Sequence, residues 1–132
     1  MRKTTVSLLL ALMLLLCLSG CSRYSSSFKA VMLVSSNTSK SASMSFSNFT
    51  GTKVFKMNCK SASGGILEYS GKLEGGSATV YYDNGVTKTE LFSIKSGETL
   101  ETMSLKVNPG TVYVIVETDG TCREGRFDFK LI

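Results

Sequence analysis

The chain is 132 residues long, with 15 Lys and Arg against 10 Asp and Glu, and it contains no histidine. This length suits one domain, and the missing imidazole excludes Ser-His and Cys-His nucleophile activation, imidazole acid-base chemistry and most zinc sites. Basic residues from Lys29 to Lys130 stand singly among acidic ones, so the electrostatic footprint of a nucleic-acid binder is absent and no nucleic-acid partner is expected.

The chain begins with MRKTT, a short positive start, and Val6 to Leu18 then run for 13 residues with only Ser7 polar. A helix of that length rises about 20 Å, short of a hydrocarbon core of roughly 30 Å, so the segment is a secretory signal core and not a span. The four residues that follow, Leu18-Ser19-Gly20-Cys21, resemble the bacterial lipobox, in which an aliphatic and two small residues precede the cysteine that receives a diacylglyceryl group. The resemblance implies that residues 1–20 are a cleaved lipoprotein signal peptide and that Cys21 is the lipid attachment site and first mature residue. The protein is then expected on a membrane, facing the extracytoplasmic side, held by acyl chains that each bury many CH₂ groups. Cys17 leaves with the signal. SRYSSS, within residues 21–27, reads as a lipidated tether.

The domain is expected over residues 28–132. Ser41, Ser43, Ser45 and Ser47 alternate with Ala42, Met44, Phe46 and Asn48, a period of two that sends serines to solvent and Met44 and Phe46 to a core. FKAVMLV precedes this strand, and VFKMNC follows with Phe55, Met57 and Cys59 on one face. ILEYSGKL, after Gly64-Gly65, aligns Leu67, Tyr69 and Leu73; SATVYY comes after Gly75-Gly76. Asp83-Asn84-Gly85 signals a tight hairpin into VTKTELFSI. TLETMSLKV fits a strand through Met103, Leu105 and Val107. Asn108-Pro109-Gly110 introduces TVYVIVE, and Asp119-Gly120 leads through Cys122 to RFDFKLI, in which Phe127, Phe129 and Leu131 alternate. Short strands spaced near ten residues predict an all-β fold, a sandwich or a barrel, and the expectation taken forward is a single small antiparallel β-sandwich of immunoglobulin-like or jelly-roll-like form. From Leu67 onward, the order of hairpin, GETLE turn, LKVNPGTVYVIVETDG and closing strand is similar to small β-sandwich domains of bacterial lipoproteins, which implies a fold and no activity.

Cys59 and Cys122 remain after Cys17 and Cys21 are set aside, and an even pair in an exported protein predicts a disulfide. Tyr81 and Tyr82, with Tyr69 and Tyr113, are the candidates for a sugar-stacking platform, although neighbours on a strand point to opposite faces. Asp83, Glu117, Asp119 and Glu124 lie near turns but lack the spacing of a calcium loop, so no metal or cofactor is expected. The sequons at Asn37 and Asn48 read as chance. Together these features describe a non-catalytic binding or structural module of the cell envelope, partnered by the membrane through Cys21 and by an envelope protein or wall polymer. The alternative is an inhibitor of a lytic enzyme such as lysozyme, acting through an exposed SASGG or GGSAT loop.

Overall fold

The computed structural model describes residues 24–132; the expected signal peptide and the expected lipid site Cys21 lie outside the described residues. Seven strands form: β1 Ser27–Val31, β2 Val34–Asn37, β3 Ser41–Cys59, β4 Gly65–Asp83, β5 Thr89–Lys95, β6 Glu98–Val107 and β7 Gly110–Leu131. All pairings are antiparallel. The closing strand β7 inserts between β3 and β4, which takes it across β4 from its neighbour in sequence, β6.

Three of these strands are far longer than the periodicity suggested. ASMSFSNF and VFKMNC are two halves of β3, ILEYSGKL and SATVYY of β4, and TVYVIVE and RFDFKLI of β7. Each long strand turns a corner at its midpoint. The register slips between Phe49 and Thr52 on β3 and between Gly75 and Ser77 on β4, and Gly51, Gly76 and Gly120 carry φ of 125°, 91° and 75° there. Glycine tolerates such a bend inside a strand, whereas a side chain resists it. The corner stays satisfied because hydroxyls replace missing ladder bonds. Gly51 N donates to Thr118 Oγ1 at 2.8 Å, and Gly76 N donates to Ser96 Oγ at 2.9 Å.

Folding over at the corner produces the sandwich. One layer contains β2, the first halves of β3 and β4, the second half of β7, and β6. The other contains the remaining halves with β5, while β1 flanks the corner of β3. Inner faces meet through Phe55 and Phe129 (ring centroids 6.1 Å apart), Tyr69 and Phe92 (5.6 Å), and Phe92 and Phe127 (6.2 Å). Gly125 makes room for Phe46, whose Cζ lies 2.4 Å from where a Cβ would stand. At the open end, opposite the corner, Asn37 ties the layers: its Oδ1 accepts from Lys56 N and its Nδ2 donates to Lys56 O.

The disulfide expectation is corrected here. Cys59 and Cys122 are both buried free thiols. Cys59 ends β3 opposite Gly110, while Cys122 sits at the corner opposite Phe49. The straight strand between Thr52 and Cys59 alone covers about 23 Å at ~3.3 Å per residue, and a bridge needs Cα atoms within about 7 Å. Counting cysteines gives parity but not position. Cys122 Sγ instead donates to Ser77 O at 3.2 Å.

The expected tight turn at Asp83-Asn84-Gly85 is also a longer loop, because Tyr82 already pairs with Thr89. Asp83 is fully buried although its register with Tyr113 puts it on the outer side, and its Oδ1 accepts from Gly85 N at 2.8 Å. GGSAT is no loop at all, since Gly75 to Thr79 lie within β4. SASGG does contain an exposed turn, at Ser61–Ser63.

Candidate binding face

Residues opposite one another in an antiparallel pair point to the same side, so register and burial together sort each layer's outer face. In the layer that holds β7's second half, Ala42, Met44, Phe127, Phe129, Leu67 and Leu73 are buried inside. The outer face consists of Ser41 and Ser43 on β3, Asp128 and Lys130 on β7, Glu68 and Ser70 on β4, Ser36 on β2 and Thr102 on β6. These side chains line a depression of about 340 Å³. A second, of about 250 Å³, adjoins it and shares Ser70, Thr102 and Asp128. Its far wall is Lys72, Thr99 and Arg126.

The trough is built to hydrogen-bond. Ser36 and Ser43 hydroxyls meet at 2.9 Å, and Arg126 Nε donates to Asp128 Oδ2 at 2.9 Å. That contact holds the guanidinium pKa above its ordinary value and orients the carboxylate along the trough. Hydroxyls both donate and accept, so the row of serines and threonine can match a partner that also presents both kinds of group. Sequence reading assigned Ser41 and Ser43 to solvent without marking them as a site. Strict alternation was their signal, but only register adds Ser70, Thr102 and Asp128 beside them.

The other outer face gathers aromatic and aliphatic side chains. Tyr113 and Asp83, Tyr81 and Ile115, and Lys56 and Tyr113 are register partners there. Tyr81 and Tyr113 therefore do share one face. They form no open platform, because each ring is covered: Lys88 Nζ lies 4.3 Å from the Tyr81 centroid, and Tyr24 meets Tyr113 edge-on at 5.2 Å. Tyr82 and Tyr69 fall on the inner side, Tyr69 stacked flat against Phe92 at 4°. Tyr24 Oη also donates to Asp83 Oδ2 at 2.6 Å, and Ser26 Oγ accepts from Val54 N at 2.8 Å. The chain thus engages the domain inside the stretch expected as a tether.

The four turn carboxylates do not converge. Asp83 is buried at the open end, Glu117 pairs with Lys88, and Asp119 and Glu124 stay at the corner. Among the described residues no three metal-ligating side chains come together.

No protein-family model and no curated protein matches this chain. Solved structures with a similar course include a family 29 carbohydrate-binding module complexed with mannohexaose, at 20% identity, TM-score 0.43, covering 82% of this chain and 78% of that one. A pre-peptidase C-terminal domain of collagenase from Bacillus anthracis is similar at 15% identity and TM-score 0.48, covering 74% and 91%. TmCBM61, in complex with β-1,4-galactotriose, is similar at 16% identity and TM-score 0.43, covering 76% and 69%. These likenesses are too distant to transfer a site.

Proposed function

We propose that this protein is a lipid-anchored, extracytoplasmic binding module that works without catalysis, holding a polar wall glycan in the hydroxyl-lined trough. The observation that carries the reading is the trough itself: two adjoining depressions on one sheet face, lined by Ser36, Ser41, Ser43, Ser70, Thr102 and Asp128. An elongated depression of this kind suits several consecutive units of a polymer. Hydroxyls with the carboxylates of Glu68, Glu101 and Asp128 suit a ligand rich in hydroxyl and amide groups, since each unpaired polar group displaced from water on binding costs affinity.

Anchoring rests on Leu18-Ser19-Gly20-Cys21 and the apolar run before it. Mass spectrometry of the mature N-terminus tests it: a diacylglyceryl-modified Cys21 is expected, and an unmodified cysteine or an intact Met1 contradicts it. The glycan reading is tested by titrating solubilised wall fragments into the protein and into Ser70→Arg, which fills the centre of the trough. Binding lost in the variant supports the reading; equal binding by both proteins, or none by either, contradicts it.

A further inference from the structure

The ends of the sandwich differ in charge. At the corner, Glu74, Glu98, Glu117, Asp119 and Glu124 stand near balance with Lys29, Lys53, Lys72, Lys95 and Arg123, and Lys88 reaches Glu117 as well. The open end instead carries Lys40, Lys56, Lys60, Lys106 and Lys130, all exposed, against the half-buried Glu68. Asp83 is there too, but fully buried and hydrogen-bonded to Tyr24. The molecule's positive excess therefore sits at one end.

The chain enters at that same end. Tyr24 is fixed by Asp83 and Tyr113, and Cys21 precedes it by three residues in the sequence, a length of chain that spans at most about 10 Å. Exposed Ile66 and Ile132, which exchange backbone hydrogen bonds, lie beside these lysines.

From this coincidence we infer that the open end is a membrane-facing surface, seated on anionic lipid headgroups, and that the domain rests on the bilayer rather than standing off on a tether. Lysines at a surface of negative potential gain Coulomb attraction within a Debye length, and a docked Tyr24 leaves too little chain to carry them beyond that range. The trough, on a side of the sandwich, then runs up from the membrane and stays accessible. This inference rests on the lipid anchor proposed above.

Lysine acetylation on vesicles tests it. The full mature chain is bound to vesicles of phosphatidylcholine alone or mixed with phosphatidylglycerol, and the labelling of each lysine is read by mass spectrometry. Lys40, Lys60 and Lys106 are expected to label several-fold more slowly on the anionic vesicles, with Lys29, Lys53 and Lys95 unchanged. The double variant Lys60→Glu with Lys106→Glu should lose protection at Lys40 while its thermal melt stays where it was. Equal labelling at both ends, or protection that ignores headgroup charge, overturns the inference. The mass of the N-terminal peptide separates the two proposals. A lipidated chain without protection keeps the anchor and loses the facing surface; a lipid-free chain that binds and is protected does the reverse.

Discussion

The two outer faces of the sandwich are made by the same three long strands, yet one is open and polar while the other is aromatic and covered. On the polar face, Ser43, Asp128 and Ser70 lie side by side across β3, β7 and β4. On the aromatic face, the equivalent positions are Val54, Ile115 and Tyr81, and this chain's own Tyr24 and Lys88 lie over the neighbouring rings. The contrast shows that exposed aromatic residues in a sequence need not mark a ligand platform. Here they hold the chain entry in place, and the plainer serine face is left free for a partner.

Both faces depend on the corner, so breaking the corner should have the largest effect. Gly76→Ala places a methyl 2.8 Å from Thr121 O and 2.9 Å from Cys122 Cα, at φ of 91°. Backbone cannot yield as a side chain does, and a loss of about 3 kcal/mol is expected in urea unfolding. Gly97→Ala, with similar φ but open space around it, should lose only about 1 kcal/mol. Equal losses would show that strain in φ, and not the closed corner, sets the cost.

The faces should then separate by what they contribute. Tyr24→Ala on the aromatic face removes a ring contact and one partner of the buried Asp83 carboxylate, for about 2 kcal/mol of stability, and Tyr24→Phe should lose about half of that. Glycan binding should not change in either variant. A smaller effect concerns pH. Burial raises the Cys122 thiol pKa above its ordinary 9.0, against a backbone hydrogen bond with Ser77 that lowers it, with Asp119 adding to the rise. The folded state holds this proton more tightly than the unfolded chain does. The stability due to it is therefore complete below pH 9 and falls as pH climbs through the thiol range. Cys122→Ala should flatten that alkaline decline, as read by urea midpoints from pH 7 to 10.

Strand positions and core residues were legible because alternation reports burial directly: Met44, Phe46, Phe55, Met57, Phe127 and Phe129 all face inward. Strand continuity was not. Gly51, Gly76 and Gly120 look like turn residues in a sequence, and the same tolerance of positive φ serves a bend inside a strand. The trough was hidden for a related reason. Ser43, Ser70 and Asp128 come from three distant segments, and only pairing register makes them neighbours. A Cys59–Cys122 bridge failed on that ground too, since register sends one thiol to the open end and the other to the corner.

The smallest predicted change in stability accompanies the largest in binding. Asp128→Asn and Ser70→Arg alter exposed or half-buried groups of the trough, and each should shift stability by no more than about 0.5 kcal/mol. The most direct measurement is a titration of isotope-labelled protein with solubilised wall glycan, followed by amide chemical shifts. The account predicts shifts confined to Ser41–Ser45, Glu68–Lys72, Thr99–Thr102 and Arg126–Lys130, all abolished in Ser70→Arg. Shifts centred on Tyr81, Tyr113 and Ile115, or none at saturating glycan, would contradict it.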